Sequence, residues 1–110
     1  MKLPNAQNAE IASSKLLDYL LSAEHPVGKW KARVFRSCGF NSSNLALLRG
    51  GLLSIARLED VQDTLQGPHG TKYVIDGSLL GPKEDTLKVR SIWIVERDSL
   101  IPRFVTAYPL

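Results

Sequence analysis

The chain has 110 residues, 44% hydrophobic and 23% charged, the balance of a folded globular domain and not of a disordered chain. A single cysteine, Cys38, excludes an internal disulfide framework and fits a reducing compartment. No apolar run approaches the ~20 residues of a membrane-spanning helix, and the opening Met-Lys-Leu-Pro-Asn is followed by no signal-peptide core. The expectation is one domain over residues 1–110, cytoplasmic and without membrane association. Net charge is +3, with a pI near 9.2. Its distribution says more than its total. Lys29, Lys31, Arg33 and Arg36 share a stretch without an acid, while Glu59, Asp60, Asp63, Glu84 and Asp85 cluster elsewhere. Such a local basic patch suits a phosphate-bearing or acidic partner.

In chain order, Ile11, Leu16, Leu17, Leu20 and Leu21 recur at helical spacing and predict a first helix from about Asn8 to Ser22. His25-Pro26-Val27-Gly28 stops it, because proline and glycine both break the helical ladder. A second helix is expected over Lys29 to Ser37, with Trp30, Val34 and Phe35 on one side and Lys29, Arg33 and Arg36 on another. Cys38 reads as a small apolar residue closing that helix, and Gly39 as its terminator. Asn41-Ser42-Ser43 offers N-caps for a third helix carrying Leu45, Leu48, Leu52 and Ile55. Gly50-Gly51 within it costs about 1 kcal/mol per glycine against alanine, which predicts close packing or a kink.

The pattern changes after Gln66-Gly67-Pro68-His69-Gly70. Thr71 to Ile75 reads as a strand interrupted at Asp76-Gly77, followed by Leu79, Leu80 and a Gly81-Pro82 turn. Leu87 to Glu96, rich in Val, Ile and Trp, reads as a central covered strand, and Arg103 to Tyr108 as the last. Connections this short favour antiparallel hairpins. The predicted class is therefore α+β, with about three N-terminal helices packed on a C-terminal antiparallel sheet of three to five strands.

Metal chemistry finds little support: His25 and His69 lie in different elements, and Cys38 has no partner at ligand spacing. Gly50-Gly51 lacks the preceding strand and following lysine of a phosphate-cradling loop. No metal and no cofactor are expected. Three segments remain. In His25-Pro-Val-Gly-Lys29-Trp-Lys31 a loop histidine precedes two lysines around a tryptophan; alternatively, these are solvated surface residues. In Lys88-Val-Arg90-Ser91-Ile-Trp93, strand alternation puts Lys88, Arg90 and Ile92 on one face and Val89, Ser91 and Trp93 on the other. A mid-strand arginine must pair with an acid (Asp76 or Glu96), reach the rim, or bind an anion. In Arg103-Phe-Val-Thr106-Ala-Tyr108, alternation places Phe104, Thr106 and Tyr108 in one row with two hydroxyls together. RNA cleavage without a metal needs cations for the developing phosphorane charge, a base for the 2′-hydroxyl and an acid for the leaving oxygen. A neighbouring Trp or Tyr can stack on a base.

At these segments the chain resembles an uncharacterised bacterial family of small domains, found free-standing or as the C-terminal module of contact-dependent and polymorphic toxins. The resemblance rests on an ordered set spanning nearly the whole chain. It comprises Lys2-Leu3-Pro4-Asn5, His25-Pro26-x-Gly28-Lys29-x-Lys31-Ala32-x-Val34-Phe35, Lys72-Tyr73-x-x-Asp76, Gly81-Pro82, Val89-Arg90-Ser91-x-Trp93-Ile94-Val95 and Pro102-Arg103-x-Val105-Thr106-Ala107-Tyr108. That family is similar in layout to the barnase–colicin–RelE type of ribonuclease, and its lysines, histidine and strand serine resemble those of the tRNA-cleaving nuclease of colicin D. The resemblance implies His25 as general base or acid. It implies Lys29, Lys31 and Arg90 as phosphate neutralisers, and Ser91, Trp93, Thr106 and Tyr108 as positioning groups. His25, Lys31, Arg90, Thr106 and Tyr108 are thus the expected catalytic set. Lys29, Arg33, Ser91, Trp93 and Arg103 are the expected RNA contacts.

The expectation is a metal-independent endoribonuclease toxin that cuts tRNA or other structured RNA to a 2′,3′-cyclic phosphate and is neutralised by an acidic immunity or antitoxin protein. The start at Met1 favours a toxin–antitoxin operon. The rival readings are a non-catalytic module that docks an acidic protein or RNA through the same basic face, and a patch without function. The nuclease reading demands that the second helix and the last two strands bring their cations and hydroxyls together.

Overall fold

The computed structural model describes the backbone of residues 1–17 and 29–110, and the side chains of 1–17 and 32–110. It is an α+β protein in which helices precede a four-stranded antiparallel sheet. After a 3-10 turn at Ala6–Asn8 come α1 (Ser13–Lys15), α2 (Lys29–Ser37), a second 3-10 turn at Ser42–Asn44, and α3 (Leu45–Leu58). The strands β1 (Val61–Gly67), β2 (Gly70–Leu80), β3 (Thr86–Glu96) and β4 (Arg103–Pro109) follow. They form a meander in which each pairs with its sequence neighbour, in the order β1-β2-β3-β4.

The first helix departs from its sequence expectation. Residues 9–12 are not helical; Glu10 forms a parallel bridge to Arg103 at the edge of β4, and helix begins only at Ser13. Two backbone bonds hold that bridge, Glu10 N–H to the Pro102 carbonyl and Phe104 N–H to the Glu10 carbonyl, each 2.9 Å. Pairing with an open strand edge satisfies backbone groups that a helix start leaves free. Residues 18–22 of the expected helix, like His25, lie outside the described residues.

The second helix ends as expected. Phe40 N–H bonds the Phe35 carbonyl at 3.2 Å and Gly39 N–H that of Arg36 at 2.9 Å, with Gly39 at φ 101°. That is a Schellman closure, and the two phenylalanines flanking it are both buried. Cys38, just past the helix end, is half-buried against the core. α3 turns Leu48, Leu52, Ile55 and Ala56 onto the sheet, where they join Ile75, Leu79, Val89, Trp93, Phe104 and Ala107 in the core cluster. Contact between α3 and β2 is close enough to need two glycines. A Cβ on Gly51 would stand 2.8 Å from Leu79 Cδ2, and one on Gly77 2.7 Å from Ile55 Cγ1.

β2 runs unbroken through Asp76-Gly77, where an interruption was expected, because Gly77 gives the close approach that Ile55 demands. The glycine marks helix–sheet contact and not a turn. β1 has no counterpart in the sequence reading; after Val61 every residue in it is exposed, so no apolar alternation announces it.

β3 turns Val89, Ser91 and Trp93 inward, as alternation predicts. β4 does not alternate regularly. Its ladder pairs Ile92 with Thr106 but Trp93 with Phe104, which leaves Val105 as an extra residue. This bulge re-phases the strand, so Phe104 packs inward, edge-on to Trp93 with ring centroids 5.3 Å apart. The expected row of Phe104, Thr106 and Tyr108 is therefore corrected: Phe104 is core, and only the two hydroxyl residues share the other face.

A candidate nucleic-acid interface on the open face of the sheet

With α3 and its core on one side, the opposite face of the sheet is built from residues that cross-strand registry places in rows. One row is Asp76–Arg90–Tyr108, contributed by β2, β3 and β4. The next is Asp63–Val74–Ile92–Thr106, and the next Leu65–Lys72–Ile94–Arg103. Directly opposed side chains on one face lie close enough to interact.

In the first row Arg90 is held by both edges of a carboxylate. Its Nε donates to Asp76 Oδ1 at 2.7 Å, and one terminal nitrogen donates to Oδ2 at 2.9 Å. This two-point geometry fixes the plane of the guanidinium. The Asp76 hydrogen bond and its charge raise the proton affinity of Arg90 above the ordinary arginine range, and a hydrogen bond with Tyr108 adds to them. Of the two acids the sequence offered, Asp76 is the partner; Glu96 instead takes Arg103, at 2.8 Å. A guanidinium has five N–H donors, so the Asp76 pair leaves donors for a further acceptor. Beside it opens a cleft of about 420 Å³ lined by Asp63, Leu65, Val74, Arg90, Ile92 and Tyr108, among others.

Thr106, in the second row, is different. Its Oγ1 is sealed from solvent and has no hydrogen-bond partner among the described residues, although buried hydroxyls are ordinarily satisfied.

Beyond the third row lies a larger cleft, of about 750 Å³, where the N-terminal segment, α1 and α3 meet one end of the sheet. Lys15, Arg49, His69, Lys72 and Arg103 reach it, together with the apolar Leu53, Ile94 and Phe104. Lys15, Arg49, His69 and Lys72 were not among the expected site residues. Lys72 was within reach of sequence reading, because alternation from Tyr73 and Ile75 puts it on the face of Asp76. Lys15 and Arg49 arrive from helices whose meeting with the sheet no local pattern encodes.

Two expected RNA contacts are corrected. Ser91 and Trp93 are completely buried. The Ser91 hydroxyl donates to the Ile75 carbonyl at 2.8 Å and accepts from Trp93 Nε1 at 2.9 Å. Both polar groups are satisfied inside the core, so neither side chain can meet a nucleotide; a buried serine here serves the indole. Arg90, Thr106 and Tyr108 do share the open face. Arg33 is exposed, but its helix buries Ala32 and Phe35, and Phe35 belongs to the same core cluster as Val89 and Ala107. α2 thus belongs to the layer behind the sheet, which is not where Arg90 points. The side chains of Lys29 and Lys31 lie outside the described set. Among the described residues, no three His, Cys, Asp or Glu side chains gather as metal ligands, and no helix is long and apolar enough to cross a membrane.

The family model described as a domain of unknown function (DUF6883) matches residues 2–110. No curated protein matches the chain. Among solved structures, the fold is similar to a chain in a contact-dependent growth inhibition toxin–immunity protein complex from Klebsiella pneumoniae 342. The TM-score is 0.76, with 18% identity over 94% of this chain and 95% of that one. At that identity, what the two share is the fold.

Proposed function

Because this chain belongs to the DUF6883 family, and shares its fold with a chain from a toxin–immunity complex, we propose that it is a toxin domain that binds and cuts RNA on the open face of its sheet. The observation that carries this reading is the Asp76–Arg90–Tyr108 row, a guanidinium clamped in one plane next to a phenol, with a cleft beside them. Cleavage by the 2′-hydroxyl passes through a phosphorane whose charge must be met where it develops. Arg90 is the group for that task, and Asp76 positions it. Tyr108 binds a non-bridging or leaving oxygen. His25 is the proposed proton carrier, while Lys31, on the helix behind the sheet, has no part in this reading. The cognate partner is an acidic immunity or antitoxin protein covering the same face, by the charge complementarity that governs such recognition.

The test is incubation of purified protein with total tRNA in EDTA, reading the cut ends for a 2′,3′-cyclic phosphate. Arg90→Ala should lower the rate at least about 100-fold, the loss typical of removing a transition-state charge donor. No cleavage by the wild type, or a rate unchanged by Arg90→Ala, overturns the reading. RNA binding without turnover favours the docking module instead.

A further inference from the structure

The cleft at the end of the sheet concentrates positive charge. Four cationic side chains, Lys15, Arg49, Lys72 and Arg103, line it against one carboxylate, Glu10. Glu96 meets the charge of Arg103 at 2.8 Å. Arg49 donates to the Ser13 hydroxyl at 2.6 Å, a neutral partner that leaves its charge uncompensated. Lys15 and Lys72 are both exposed and make no ion pair among the described residues. The cleft therefore keeps an excess of cations over the carboxylates that the described residues supply, and an anion is the ligand that such an arrangement lacks.

Its walls narrow the class of anion. Between the cations the surface is largely apolar, with Ile94 forming part of it. The volume, about 750 Å³, falls within the roughly 300–1,000 Å³ of ligand-binding clefts. A free phosphate would leave that apolar surface wet, and a lipid tail would not use the cations. Apolar surface bracketed by cations suits a ligand that alternates bases with phosphates, as a single strand of nucleic acid does. Lys72 stands on the side of this cleft nearer the other one: its cross-strand partner Leu65 lines the smaller cleft, as does Val74, two positions along β2. A strand whose scissile phosphate meets Arg90 could continue over the Val74–Ile92 row to Lys72.

We propose that this cleft is a second nucleotide-binding subsite, in which Lys15, Arg49 and Lys72 hold phosphates of the strand flanking the cut. The inference deepens the nuclease reading and rests on it. It places the length of RNA the domain grips along the sheet, beyond the bond it cuts.

The test uses a fluorescein-labelled 2′-O-methyl oligoribonucleotide, which lacks the nucleophilic hydroxyl and is bound without being cut. Anisotropy titrations would compare the wild type, a Lys15→Ala/Lys72→Ala double variant, and Lys83→Ala, an exposed cation in the turn between β2 and β3, at the other end of the sheet from the cleft. The double variant should bind about tenfold more weakly. Its slope of log affinity against log salt should be shallower by roughly 1.4, or about 0.7 per lost phosphate contact on a single strand. Lys83→Ala should stay within about twofold. Equal losses in the two variants, or a double variant that binds like wild type, overturn the subsite. So does polyglutamate that displaces the oligonucleotide with equal affinity, since that outcome assigns the cleft to an acidic protein. If the wild type cuts tRNA and the double variant binds unchanged, the subsite fails alone. If the wild type neither binds nor cuts RNA, the nuclease reading fails with it.

Discussion

Thr106 and Arg90 stand one row apart on the same face and in opposite condition. Arg90 has its charge and geometry fixed by Asp76, while the Thr106 hydroxyl is buried without a partner among the described residues. An unsatisfied buried hydroxyl carries a desolvation cost of about 1–3 kcal/mol. Thr106→Val, which replaces it with a methyl of similar shape, should therefore raise the urea midpoint, by about 1 kcal/mol in stability. That hydroxyl is sealed from solvent and out of reach of a substrate, so the same variant should keep its cleavage rate while gaining stability. Arg90 contributes no pH dependence to compare with this. Its proton affinity is raised, so the stability owed to its charged form is present at lower pH. It is lost only as pH rises through a value above the ordinary arginine range. Any bend in a pH–rate profile near neutrality must come from other groups.

At the scale of elements, α3 and β2 meet so closely that two adjacent glycines should behave in opposite ways. A Cβ on Gly50 would find no described atom within 4 Å, whereas one on Gly51 would meet the buried Leu79. Gly50→Ala should stabilise by up to about 1 kcal/mol through helix propensity. Gly51→Ala should destabilise, by about 1–3 kcal/mol of overpacking, and paired thermal melts would check both signs. The glycine pair was legible as close packing, but which of the two is packed depends on where the sheet lies. The same limit explains the other departures. Alternation in β3 read correctly because that strand is regular and buried on one face. In β4 one unpaired residue, Val105, re-phased the pattern, and nothing in Arg103-Phe-Val-Thr-Ala-Tyr marks a bulge. β1 was invisible because an edge strand exposed along its length has no buried side chains to pattern. Of the site, the face of Arg90 was legible from strand parity, and so was the pairing of Thr106 with Tyr108; which face those two take was set by the bulge. Ser91 and Trp93 were misread because a strand tryptophan beside a serine looks the same whether it stacks on a base or is bonded inside a core.

At the scale of the whole molecule, the first ten residues reach both edges of the sheet. The Met1 carbonyl accepts from Val61 N–H at 2.7 Å, where β1 begins, and Glu10 pairs with β4 at the opposite edge. Between these points Leu3 is buried, Asn5 donates to the Leu100 carbonyl, and Arg57 of α3 donates to the carbonyls of Ala6 and Gln7. A terminal segment usually frays; this one is fastened. Leu3→Ala should therefore cost about 2–5 kcal/mol, as a core truncation does, measured by chemical denaturation.

That fastening also bears on how the fold is reached. Met1 to Gln7 can dock early, on Arg57, Leu58 and Val61, but Glu10 finds its partners only once Pro102 and Phe104 of the far edge are in place. Contacts of such long sequence separation close slowly, because the loop entropy is lost before they form. The meander can zip hairpin by hairpin, but the Glu10 end of the strap can dock only on a finished sheet. A chain interrupted before Arg103 would hold an unclosed β-edge and an unpaired Glu10 backbone, the state in which a partner or a chaperone has most to recognise.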